Sequence, residues 1–157
     1  PKTLLTRNYE TAEKFIKKYK NNMIGVISDV RFPKNGIKDP ETGLKFAKWV
    51  RKIDPSLPIM LQSTDEENMK MAKEVNATFL HKGSKTLLTD LRNFITENFG
   101  FGDFIFRTSN KKEVGRATTI DEFRIGIEEI PVESLLYHAS KHHFSNWLAA
   151  RTEFKLA

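Results

Sequence analysis

The run Ile24-Gly25-Val26-Ile27-Ser28-Asp29-Val30-Arg31-Phe32-Pro33-Lys34-Asn35-Gly36 constrains the fold of this chain more than any other. Its apolar part, Met23 to Ser28, predicts a buried strand of the kind found at the centre of a parallel sheet. The strand ends in Asp29, and a Pro-x-x-Gly loop follows. In open α/β sheets, ligands and chemistry gather at the carboxyl ends of strands. A carboxylate held there can accept a phosphoryl group or ligate Mg²⁺. An aspartate that only caps the next turn would give the same run. The rest of the chain has to separate the two readings.

Upstream, Lys2 to Thr6 is a strand candidate, and Asn8 caps a helix with Ala12, Phe15, Ile16 and Tyr19 at helical spacing. Val30 to Thr42 reads as a loop, and Gly43 to about Ile53 as a helix. After the turn Asp54-Pro55-Ser56-Leu57-Pro58, a buried strand covers Ile59 to Gln62 and a polar helix covers Asp65 to Glu74. Thr78 to His81 is a further strand. Ser84 caps an amphipathic helix carrying Leu87, Leu88, Leu91, Phe94 and Ile95. Strands alternate with helices over short connections, which predicts an α/β fold with a doubly wound parallel sheet.

The pattern changes at Phe99-Gly100-Phe101-Gly102. Asp103–Arg107 and Glu113–Ala117 flank a polar turn and predict a β-hairpin. Thr119-Ile120-Asp121-Glu122 matches a capping box that opens a helix, and Pro131 and Ser134 restart helix. The expected organisation is an α/β domain over residues 1–99 and a small α+β connector over 100–157.

Composition narrows the function classes. The 157 residues contain no cysteine, which excludes a disulfide scaffold, a zinc ribbon and a thiol nucleophile. No apolar run reaches membrane-spanning length and no secretory signal opens the chain, so a cytoplasmic location without membrane attachment is expected. The formal net charge is +6. The lysines sit at helical spacings, as in Lys14-Lys17-Lys18-Lys20 and Lys45-Lys48-Arg51-Lys52, which marks solvated helix faces. With no helix-turn-helix pattern and no basic-aromatic stripe, no nucleic-acid partner is expected. The chain opens on Pro1 and reads as a piece of a longer polypeptide.

Three strand ends fall on one edge of the expected sheet. Asp29 closes one strand, Ser63 follows the next, and Lys82 follows the third. A carboxylate, a hydroxyl and an ammonium converging there suit a phosphoryl site. The carboxylate accepts the group, the ammonium neutralises oxygen charge, and the hydroxyl donates to a phosphoryl oxygen.

On these residues the chain resembles the receiver (response-regulator) family. Asp29-Val30-Arg31-Phe32-Pro33-Lys34-Asn35-Gly36 matches its phosphoacceptor loop. Pro58-Ile59-Met60-Leu61-Gln62-Ser63-Thr64 matches its switch strand, and Ala77-Thr78-Phe79-Leu80-His81-Lys82 the strand that ends in its lysine. The resemblance implies a receiver-type (flavodoxin-like) sheet lacking its first β-α unit. It also implies Asp29 as phosphoacceptor, Ser63 as switch hydroxyl, Phe79 as switch aromatic and Lys82 as the phosphoryl-binding group. Mg²⁺ would be held by Asp29 and the Arg31 carbonyl, together with an acidic pair that these residues lack. Gly83 stands where the family carries a proline, and Ile37 to Thr42 looks like an insertion.

Taken whole, the chain is similar to a segment of phosphoenolpyruvate synthase-like (pyruvate, phosphate dikinase-related) proteins. The residues that carry this are Gly25–Pro33, Phe99–Arg107 and His143–Phe154. The implied function is a regulatory phosphoacceptor module whose C-terminal segment relays to a downstream catalytic region. The implied partners are a histidine kinase or small phosphodonor, the catalytic domains of the same polypeptide and, as an option, a second copy of the chain. A degenerate receiver that only docks or packs is the alternative. In the tail, His138 and His142 are spaced to share a helix face beside His143, with Tyr137, Phe144 and Trp147 nearby. Two facing imidazoles suit Zn²⁺, and an aromatic helical surface suits an interface.

Overall fold

A computed structural model describes residues 2–157 and divides into two compact units, one ending at Phe94 and the other covering Ile95–Ala157. The boundary falls inside a helix.

In the first unit, helix α1 (Tyr9–Tyr19) starts where Asn8 Oδ1 accepts the Thr11 amide at 2.9 Å. It buries Tyr9, Ala12 and Ile16 and leaves its lysines exposed. Strand β1 (Val26–Asp29) leads into a hairpin of β2 (Phe32–Lys34) and β3 (Ile37–Asp39). Helix α2 (Thr42–Ile53), strand β4 (Ile59–Ser63), helix α3 (Asn68–Glu74) and strand β5 (Thr78–His81) follow. Helix α4 (Leu87–Asn98) carries the chain across the boundary.

Strands β1, β4 and β5 form a parallel three-stranded sheet in that order, with Asp29 opposite Gln62 and Ser63 opposite His81. This is the expected mixed α/β architecture. Three details differ from the reading of the sequence. Residues 2–6 form no strand. Strand β1 lies at the sheet's edge, not its centre, and Ile27 is 41% exposed. Strand β4, hydrogen-bonded on both sides, is the buried centre. The segment read as a loop and insertion folds as the β2–β3 hairpin. Its turn is Asn35-Gly36 with φ of 51° and 76°, a dipeptide that favours tight hairpins because both residues tolerate positive φ.

The core of this unit joins α1, the hairpin and α2 through aromatic contacts. The Phe46 ring stands edge-on to Tyr9 at 5.4 Å and to Phe32 at 5.9 Å. Arg51, read as part of a solvated face, is half-buried. It donates to the carbonyls of Pro55, Leu57, Val75 and Asn76 and so ties α2 to the loops around it. Burial lowers its pKa from the ordinary arginine value. Helix α2 begins against the end of β1, where the Gly43 amide donates to the Val30 carbonyl at 2.8 Å.

The second unit is a hairpin of β6 (Phe104–Arg107) and β7 (Glu113–Ala117) with helices α5 (Ile120–Glu129), α6 (Val132–Ser140) and α7 (His143–Ala150). Thr119 and Glu122 complete both halves of the expected capping box. Trp147, read as an interface anchor, is 1% exposed. It stacks on Phe123 at 4.7 Å and belongs to the unit's own core with Phe104, Phe106 and Phe144. Its indole N–H donates to the Gly102 carbonyl. The Arg151 guanidinium lies over the indole and donates to the carbonyls of Gly100 and Gly102. The segments 99–107 and 143–154 therefore meet in this clasp. Among the described residues, no helix is long and apolar enough to cross a membrane.

A Cβ at Gly43 would lie 2.2 Å from the Asp29 carbonyl oxygen and 2.6 Å from the Val30 Cα, both fixed backbone atoms. Gly43→Ala is therefore expected to destabilise the first unit by about 3 kcal/mol, the upper range for overpacking, measured by urea unfolding. A loss below about 1 kcal/mol would show that α2 does not seat on β1 in this way.

Candidate functional site

The parallel register puts the ends of β1, β4 and β5 on one edge. Asp29, Ser63 and Lys82 all lie there. The Lys82 ammonium forms an ion pair with Asp29 Oδ1, and both side chains are partly open to solvent, at 38% and 46% exposure. An ion pair this open contributes about 0–1 kcal/mol. It therefore opens at little cost, and both groups are available to an incoming ligand.

Ser63 is nearly buried. Its Oγ accepts hydrogen bonds from the Asp65 amide and from Asn68 Nδ2, each at 3.0 Å. Those bonds fix the loop between β4 and α3. The Ser63 O–H itself donates to no group among the described residues and can still serve a phosphoryl oxygen. The Ser63 carbonyl accepts the Lys82 amide at 2.8 Å, so the β4–β5 ladder extends to the lysine. Phe79 is half-buried and packs against the core of the first unit. Arg31 sits past the end of β1, with its guanidinium 3.6 Å from an Asp65 carboxylate oxygen.

Two contributors were not read from the sequence. Asn68 anchors the Ser63 hydroxyl from the first turn of α3, and a buried amide there has no periodic signature. His81 reaches across the edge. Its Nε2 lies 2.9 Å from the Thr64 carbonyl, and its Nδ1 accepts the Gly83 amide at 3.2 Å. Its position directly before Lys82 was the available signal.

For a divalent cation the residues present are insufficient. Among the described residues no three histidine, aspartate or glutamate side chains cluster as a metal site. At this edge the carboxylates are Asp29, facing Lys82, and Asp65, facing Arg31. A near-octahedral Mg²⁺ site needs more oxygen ligands than that.

The tail histidines are arranged differently from the expectation. Helix α6 ends at Ser140, and His142 turns the chain with φ of 57°, so His138 and His142 share no helix face. His138 instead meets His143, with the two Nδ1 atoms 3.0 Å apart. The Arg107 amide donates to His138 Nε2 at 2.8 Å. This bond assigns the His138 proton to Nδ1, which donates to His143. Both imidazoles are held neutral, with pKa lowered to about 4; burial is the main cause for each, and neighbouring positive charges add to it.

A histidine whose folded pKa lies below its unfolded value binds fewer protons when folded. Stability from this pair is therefore complete above about pH 6.5 and is lost as pH falls towards about 4. The expected slope is at most about 1.4 kcal/mol per pH unit for each histidine. Trp147 fluorescence during urea unfolding, in a Trp49→Phe background, reads it. A His138→Gln/His143→Gln variant whose stability keeps the wild-type slope between pH 6.5 and 4 would contradict the assignment.

No protein-family model, no curated protein and no solved structure matches this chain.

Proposed function

We propose that this chain is a receiver-like regulatory module, with Asp29 as phosphoacceptor, in a cytoplasmic phosphoenolpyruvate synthase-like protein. The observation that carries the reading is the open Asp29–Lys82 ion pair at the carboxyl edge of a parallel sheet, with Ser63 at the end of the strand between them. In the proposed step an Asp29 carboxylate oxygen attacks the phosphorus of a small phosphodonor or a phosphohistidine. The bond from phosphorus to the leaving group breaks, the leaving group takes the electron pair, and an acyl phosphate remains on Asp29. Lys82 then transfers its contact from the carboxylate to the phosphoryl oxygens, and the Ser63 O–H donates to one of them. Phe79 would register the change, and the segment from Phe99 onward would pass it to a downstream catalytic region. The Mg²⁺ that such a site uses would draw its remaining ligands from an acidic pair outside these residues. A partner kinase and self-association through the later helices belong to the same proposal.

The sparse carboxylate set favours a second reading, a degenerate receiver that serves as a docking module. Intact-mass analysis separates the two. The parent polypeptide is incubated with acetyl phosphate and Mg²⁺, beside Asp29→Asn and Lys82→Ala. The proposal expects one added phosphoryl group on the wild type and none on Asp29→Asn. It expects a rate lowered about 100-fold, the scale of losing one electrostatic stabiliser, on Lys82→Ala. A wild type that gains no mass supports the docking module instead.

A further inference from the structure

His81 touches both loops that border the proposed phosphoryl edge. It closes β5 and immediately precedes Lys82. Its Nδ1 accepts the amide of Gly83, the residue after Lys82. An imidazole that accepts at Nδ1 and is neutral carries its proton at Nε2. That N–H then donates to the carbonyl of Thr64, the residue after Ser63, at 2.9 Å. One ring thus fastens the backbone beyond the hydroxyl to the backbone beyond the ammonium. It adds a side-chain bridge just outside the last ladder bond, in which the Lys82 amide donates to the Ser63 carbonyl.

Gly83 fits this bridge in two ways. A Cβ there would lie 2.9 Å from His81 Cε1 and 3.3 Å from Nδ1, so a side chain at position 83 would push the ring off its partners. A proline at 83 would also remove the N–H that the ring accepts. A glycine after Lys82 is therefore the residue this bridge requires.

We infer that His81 is a positioning residue that couples the Ser63 loop to the Lys82 loop and sets the reach of the ammonium across the edge. The inference rests on the phosphoryl-site reading for its consequence, but not for its geometry. Orientation of this kind matters because misplacing a stabilising group by about 1 Å can cost on the order of 100-fold in rate.

Two measurements keep the geometry and the function separate. Long-range ¹H–¹⁵N correlation of the 157-residue chain at alkaline pH reads the tautomer of His81 directly. The expected result is a protonated Nε2 and a bare Nδ1, together with displaced Gly83 and Asp65 amide signals in His81→Phe. A protonated Nδ1 overturns the bridge, whatever the protein does with phosphate. The second measurement is the rate of phosphoryl gain from acetyl phosphate in the parent polypeptide. His81→Phe keeps the ring volume but removes both bonds, and it should slow the reaction at least about tenfold. His81→Asn restores an acceptor near the Nδ1 position, and His81→Gln a donor near the Nε2 position. Each should recover part of the rate, which a general loss of packing would not predict. A His81→Phe protein that reacts at the wild-type rate overturns the positioning role. A wild type that takes up no phosphoryl group overturns the phosphoryl-site reading and the positioning role with it, while the tautomer still decides the bridge.

Discussion

Strand β4 is the constraint on which the first unit depends. It is the one strand of the parallel sheet bonded on both sides, and Ile59, Met60 and Leu61 are all buried. Because its neighbours run parallel to it, all three strands deliver their carboxyl ends to the same edge. That placement brings together Asp29, Ser63 and Lys82, which are far apart in sequence. It also leaves the loops after β4 and β5 side by side, where one histidine can reach both.

The edge is built from bonds of unequal strength, and the differences bear on function. The backbone there is well fixed. Gly43 seats α2 against the end of β1, and Asn68 and Asp65 hold the Ser63 oxygen. The charged groups are held less tightly, since Asp29 and Lys82 meet where water reaches both. A well-bonded backbone around an easily opened ion pair leaves the two charged groups freer to rearrange than the loops that carry them. The second unit contrasts with this. Its aromatic residues and its paired neutral histidines are spent on packing, and Arg151 and Trp147 close the Phe99–Gly102 turn from within.

The shared edge of the candidate site was legible because strand ends leave a signal. An apolar run that stops at Asp29, another that stops at Ser63, and a third followed by Lys82 define an edge once the sheet is taken as parallel. The capping box at Thr119 and the Glu113–Ala117 strand were legible for the same reason, being local. What could not be read depended on partners distant in sequence. Met23 to Ser28 looks like a central strand, but position in a sheet is set by neighbours, and β1 has one. Arg51 shares its helix spacing with solvated lysines, and only the fold brings four carbonyls to it. His138 pairs with His143 because the helix ends between them. The β2–β3 hairpin was a different kind of omission: the Asn35-Gly36 signal was present, and the two flanking prolines masked it.

The most direct test of the account is whether the edge binds a phosphoryl group's shape and charge. The measurement is ¹⁹F NMR of the protein titrated with beryllofluoride and Mg²⁺. The account predicts a saturable bound resonance that disappears in Asp29→Asn and weakens in Lys82→Ala. A wild-type spectrum that shows only the free fluoride complexes would contradict it and leave the Asp29–Lys82 edge as part of a docking surface.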